Sequence, residues 1–151
     1  MKVITITQPW ATLIAIGAKK IETRSWSTNY RGPLAIHAAK GFPQWAKYIS
    51  WTEPFYSILC EEWKPYVFHP YNLPFGVIIA TCVLAECHST RAIKACHEQG
   101  LRALLEQEQA FGDFTDNRYG FVLKDVCALN EPIPAKGTLG LWEFPVEDYL
   151  K

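Results

Sequence analysis

Residues 75–86 read Phe-Gly-Val-Ile-Ile-Ala-Thr-Cys-Val-Leu-Ala-Glu, and this run is the firmest strand in the chain. Val, Ile and Thr crowd it behind Gly76, and side chains branched at Cβ pack well on a pleated surface. Its neighbours decide the fold class. Upstream, residues 3–6 read as a short strand, and Thr7-Gln8-Pro9 as a helix entry with Pro9 at the first helical position. Trp10, Leu13, Ile14 and Gly17 recur at helical spacing, and Gly17 is suited to the left-handed conformation that ends a helix. Residues 19–26 are predicted to be extended, with Lys20, Glu22, Arg24 and Trp26 on one face. A turn at 29–32 leads to a strand at 33–38. Residues 42–63 are rich in aromatics and broken by Pro43 and Pro54, which predicts two short helices, and 64–74 reads as a loop.

Downstream, Ser89 caps a long helix reaching about residue 110, with Ala92, Ala95, Cys96, Leu101, Leu104 and Leu105 on its apolar side and Gly100 as a point of division. A polar loop at 111–117 precedes a strand at 119–126, continued by 129–133, and a last strand at 137–144. Helices and strands do not alternate as βαβα. The order therefore predicts an α+β fold: a small mixed or antiparallel β-barrel with flanking helices.

The composition fits one compact domain: 151 residues, 49% hydrophobic and 20% charged, with ten Pro and nine Gly. No apolar run approaches the ~20 residues that span a bilayer, so a soluble chain without membrane partners is expected. The N-terminus does not read as a signal peptide, and five Cys, an odd number, argue for reduced thiols and a cytoplasmic location. Cys82-x4-Cys87-His88 and Cys96-His97 lack the separation of structural zinc ligands, so no metal is expected.

Net charge is zero, which removes bulk electrostatics as an argument for nucleic-acid binding. The distribution is uneven: residues 1–50 carry seven basic residues against the single acid Glu22, and residues 51–151 carry eight bases against fourteen acids. That asymmetry predicts a basic face built by the first third, suited to an anionic ligand. Within it, Lys19, Glu22 and Arg24 fall in six residues. A paired Lys and Glu can share a proton, Arg24 offers a planar fork for a phosphate or a base edge, and Trp26 offers a ring for stacking. The same residues also suit an ordinary surface ion-pair network. Gln8 is placed to present its amide to a ligand. Pro9 and Trp10 are read as structural, His37 as a satisfied strand histidine, and Tyr119 and Trp142 as barrel core. Tyr30 and Arg31 follow the cationic segment closely enough to reach the same cleft. For the aromatic stretch 45–63, buried packing is preferred to a protein-docking surface.

TQPWATLIAIGAKKIETRSW at 7–26, YRGPLAIHAAK at 30–40, FGVIIATCVLAEC at 75–87 and RYGFVLKDVCALNEPIPAKGTLGLWEF at 118–144 together resemble the ASCH family (activating signal cointegrator homology) of the PUA-like superfamily. The likeness covers nearly the whole chain in order, and its most specific part is Gly17-x-Lys19-x-x-Glu22, similar to the family's G-x-K-x-x-E signature. It implies a single ASCH domain over residues 1–151, a PUA-like barrel, and a cleft that binds RNA, another nucleic acid, or a nucleoside or nucleotide, with no cofactor. The expected ligand-binding set is Lys19, Glu22, Arg24 and Trp26, with Lys20, Arg31 and Lys40 attracting phosphate. Some small bacterial members are amidohydrolases of N4-acylated cytidines that use a Lys, a Thr and a Glu. On that alternative Lys19 would be catalytic, Glu22 stands where those enzymes carry Thr, and Glu86 is the nearest match to their remote Glu.

Overall fold

The computed structural model describes residues 1–62, 68–96 and 99–150, with the backbone alone at 99–103. Its strands are β1 (Lys2–Ile6), β2 (Ile21–Arg24), β3 (Gly32–Ala38), β4 (Val77–Ser89), β5 (Tyr119–Pro134) and β6 (Leu141–Glu143). The helices are α1 (Trp10–Ala15), α2 (Gln44–Ser50), α3 (Phe55–Glu62), α4 (Thr90–Ala95) and α5 (Gln99–Phe111). The strands form one curled, half-barrel sheet in the order β2-β5-β4-β3-β1-β6. The sheet is mixed: β1 runs parallel to β3, and the other neighbours are antiparallel.

The strand predicted at 75–86 is the central β4, buried at Ile78, Ile79, Ala80, Cys82 and Leu84. Three register irregularities against β5 bend this long pair, as bulges do. Leu34 and Ile36 of β3, Ala80 and Leu84 of β4 and Phe121 of β5 close the core against Ala11 and Ile14 of α1. Each fully buried Leu, Ile or Phe contributes roughly 1.5–3 kcal/mol by leaving water. On its other side α1 sends Leu13 into a second cluster with Phe55, Leu59, Phe68 and Phe111, so this short helix is held from two directions.

Several local expectations are corrected. Pro9 precedes α1 as its cap residue, with Trp10 the first helical residue. The long helix divides before Gly100: Cys96 is already extended at the end of α4, and Gly100 lies inside α5. The extended segment predicted at 19–26 is a strand only at Ile21–Arg24, which leaves Lys20 and Trp26 outside it. The last strand is confined to Leu141–Glu143 because Gly137 to Gly140 form a loop, with Gly140 at φ +69°. Trp63 and the segment 63–67 of the predicted helix and loop lie outside the described residues, as does His97.

Candidate functional site

The first half of the site is made by a helix end. Gly17 holds φ at +79°, a region that favours glycine, and α1 closes with the Gly17 N–H donating to the Ile14 carbonyl at 2.9 Å. The Lys19 N–H returns to the Leu13 carbonyl at 3.0 Å. This reversal carries the Lys19 side chain inward, to 1% exposure, where Nζ donates to the Ile21 carbonyl and lies 3.5 Å from Glu108 Oε2. Glu108 projects from α5 and is fully buried. It also accepts the Lys20 N–H at 2.5 Å and the Ile21 N–H at 3.1 Å. One carboxylate thus serves an ammonium and two backbone donors, the condition under which a buried charge is tolerated.

β2 supplies the second half. Glu22 and Arg24 are two residues apart and share a face, with Arg24 Nε 3.0 Å from Glu22 Oε1. The contact is an ion pair without an aligned hydrogen bond, since Nε has no hydrogen-bond partner. Arg24 Nη2 donates instead to the Thr5 carbonyl at 2.7 Å, which ties the edge strand β2 to β1 across the open side of the half-barrel. Arg118 completes the rim: it donates to the Thr23 carbonyl at 3.2 Å and pairs with Asp113 at 3.4 Å.

Between these groups opens a cleft of about 450 Å³, of the size that takes small ligands. Lys19, Glu22, Arg24, Asp113 and Arg118 line it on one side, with Trp10, Trp45 and Phe111 as an aromatic wall on another. Trp10 is fixed by its Nε1–H, which donates to the Phe111 carbonyl at 2.5 Å, and by edge contact with Phe55. Trp45 leans on Trp10 at 5.7 Å between ring centroids yet remains 58% exposed. Every cation in the lining has a carboxylate partner: Lys19 with Glu108, Arg24 with Glu22, Arg118 with Asp113. The cleft is therefore balanced in charge rather than basic, and rich in paired donors and acceptors.

Lys19, Glu22 and Arg24 are brought together, and the other predicted residues are dispersed. Trp26 packs edge-on against Phe121 and lines a neighbouring hollow that shares Thr5, Thr7 and Arg24 with the cleft. Lys20 and Glu86 belong to a separate, largely apolar pocket, where Glu86 accepts from His88 at 2.8 Å and lies 3.9 Å from Lys124. Those partners hold the Glu86 carboxyl below its usual range. Arg31 is exposed and donates to the Thr28 and Tyr30 carbonyls. Lys40 is exposed at a third hollow. The seven cations of residues 1–50 thus do not gather on the cleft, because β2 and β3 are separated in the sheet by β5 and β4.

Gln8 does not face a ligand: it is fully buried, its Oε1 accepts the Thr12 N–H at 3.0 Å and its Nε2 donates to the Pro74 carbonyl at 2.9 Å. His37 is likewise buried, with Nδ1 3.2 Å from Thr5 Oγ1 and Nε2 3.0 Å from the Ala135 carbonyl. The aromatic stretch 45–63 is packed inward only in part: Phe55 is buried, whereas Trp45, Tyr48, Trp51 and Tyr56 are exposed. All five cysteines are free, and among the described residues no cluster of three or more His, Cys, Asp or Glu could hold a metal ion.

Sequence reasoning missed Glu108, Asp113, Arg118 and Trp45. A signal for Glu108 was present: Leu101, Leu104 and Leu105 mark the apolar stripe of α5, and Glu108 continues it at the next helical repeat. A carboxylate on a core stripe needs a buried partner.

The sequence profile of the ASCH domain matches residues 4–129. The chain belongs to the ASCH family. Activating signal cointegrator 1 from Homo sapiens and from Mus musculus are each 28% identical to this ASCH chain over 141 residues, which is 93% of the chain. The chain spans only 22% of the length of those relatives. Among solved structures, the ASCH protein of Zymomonas mobilis superposes with a TM-score of 0.52 at 16% identity, covering 98% of this chain and 90% of that one. That likeness establishes the PUA-like fold. Among the described residues, no helix of this ASCH chain is long and apolar enough to cross a membrane.

Proposed function

We propose that residues 1–151 act as one ASCH unit that binds single-stranded RNA, taking one base into the cleft between Trp45 and the paired groups on β2 and α5. The observation that carries this reading is the exposed Trp45 ring facing a charge-balanced lining. Base faces stack on aromatic rings, and base edges are read by groups that both donate and accept. Arg24 stands beside the carboxylate of Glu22, and Arg118 beside that of Asp113, so donors and acceptors lie side by side in the lining. A lining of matched charges favours an uncharged base over a bare phosphate. Five free thiols agree with a cytoplasmic setting.

Hydrolysis of an N4-acylated cytidine is the second reading, supported by the buried Lys19–Glu108 pair beside the cleft. It ranks lower because Lys19 Nζ already donates to the Ile21 carbonyl and sits against Glu108, both internal partners.

Tryptophan fluorescence titrated with the four ribonucleosides and with RNA and DNA hexamers tests both readings. Saturable quenching by nucleosides and RNA, abolished by Trp45→Ala, is expected. No quenching by any of these ligands would overturn the binding reading, and steady release of acetate from N4-acetylcytidine, lost in Lys19→Ala, would put hydrolysis first.

A further inference from the structure

Three strands meet at the end of the sheet beside the cleft. Val77, the first residue of β4, is paired with Ala38 on β3 and with Pro134 on β5. Two residues beyond those partners stand Lys40 and Lys136, so a lysine flanks the start of β4 on each side. Adjacent strands are ~4.8 Å apart, which puts the two backbones roughly 10 Å from one another, within joint reach of two lysine side chains. Both lysines are exposed, and among the described residues neither takes part in an ion pair. They border a hollow of about 720 Å³ whose lining includes Thr5, His37 and Phe75 and no carboxylate.

This hollow contrasts with the cleft, where each cation is neutralised at close range. It also adjoins it. Thr5 lines the cleft, the hollow beside Trp26 and the hollow between the lysines, and Gly137 is shared by the last two. A chain lying in the cleft and leaving past Thr5 would meet two unpaired ammonium groups.

We infer that Lys40 and Lys136 form a phosphate subsite that holds the sugar-phosphate backbone of a strand whose base occupies the cleft. The ligand is then an oligonucleotide, and a free nucleoside fills only part of the site. The inference rests on the cleft reading above, deepens it, and fails separately from it.

The test measures cytidine, uridine, adenosine and guanosine, and a fluorescein-labelled RNA hexamer of each base, against the parent chain, Lys40→Ala, Lys136→Ala and the double variant, from 50 to 300 mM KCl. Both substitutions remove exposed side chains, so folding is preserved. Hexamers should bind more tightly than nucleosides, with an affinity that falls with salt. The double variant should flatten that salt slope by about 1.4, at about 0.7 per phosphate on a single strand, and weaken hexamer binding about fivefold per lysine near 0.1 M salt. Nucleoside affinity should not change. Equal affinity for nucleoside and hexamer, or a salt slope unchanged in the double variant, overturns the subsite and leaves the cleft reading standing. Lysine-dependent hexamer binding that survives Trp45→Ala, with no nucleoside binding, supports the subsite and overturns the cleft. No binding of either ligand overturns both.

Discussion

Lys19 and Glu108 lie 89 residues apart in sequence and 3.5 Å apart in the fold, both out of contact with water. The pair joins the turn after α1 to the last turns of α5 under the cleft. Glu108→Ala should strand a buried ammonium together with the Lys20 and Ile21 N–H groups that the carboxylate accepts. The expected cost is about 3–5 kcal/mol in urea denaturation. Glu108→Gln keeps an acceptor for the backbone and should lose less. The double variant Lys19→Met with Glu108→Gln should recover part of the loss of Glu108→Ala; a double variant no better than that single one would mean the charge pairing is not what holds this junction.

Trp45 should separate binding from folding. Its ring is 58% exposed, and its ring contact is with Trp10, 5.7 Å away between centroids. Trp45→Ala should weaken RNA binding by about 1–3 kcal/mol, the usual worth of one base stacked on an aromatic ring. Thermal stability should change by less than about 1 kcal/mol, as for other exposed positions. An equal fall in both quantities would show that Trp45 is structural.

Gly137 is closely held by its neighbours. A Cβ there would stand 2.6 Å from His37 Cε1 and 2.7 Å from Thr5 Oγ1. Gly137→Ala should therefore destabilise the fold by about 1–3 kcal/mol, the usual cost of overpacking. It should also displace the Thr5 hydroxyl from Trp142 Nε1, 3.1 Å away. Intrinsic Trp fluorescence before and after denaturation reads both effects, and an unchanged midpoint would contradict the close packing.

The strands were legible because β-branched residues concentrate where the sheet is buried, as in residues 77–84. The helix end at Gly17 was legible because a positive φ selects glycine. The Lys19, Glu22 and Arg24 cluster was visible as a short-range spacing. What stayed hidden was tertiary. Glu108 reads as one polar residue among several in its helix until α5 is laid against the turn at Lys19. Asp113 and Arg118 sit in a loop that sequence reads only as polar. Lys20 stands two residues before Glu22 yet faces another pocket, because β2 begins only at Ile21 and the alternation that would align the two does not reach Lys20. The exposed rings on α2 read as core because composition does not tell which face of a short helix is covered.

His37 gives the fold a pH dependence of definite sign. Burial holds its pKa below the ordinary 6.5, and the hydrogen bond to the Ala135 carbonyl opposes that shift only in part. The neutral ring fits its surroundings: Nε2–H donates to Ala135, and Nδ1 accepts from the Thr5 hydroxyl, which in turn accepts from Trp142 Nε1–H. A second ring proton would meet a hydroxyl already receiving one donor. Above pH 6.5 the ring is neutral in both the folded and the unfolded chain, and it gives stability no slope. As pH falls through 6.5 the unfolded chain takes up a proton that the folded chain refuses, so stability should drop, by at most ~1.4 kcal/mol per pH unit. The carboxylates held below their ordinary 3.8 and 4.5, such as Asp113 and Glu86, act in the same direction but at lower pH. Urea midpoints between pH 7.5 and 5 should therefore fall in the parent chain from about 6.5 downward. In His37→Gln the midpoint should be lower throughout and flatter across that window. A parent chain with no slope between pH 6.5 and 5, or a variant with the parent's slope, would show that His37 does not titrate out of step with folding.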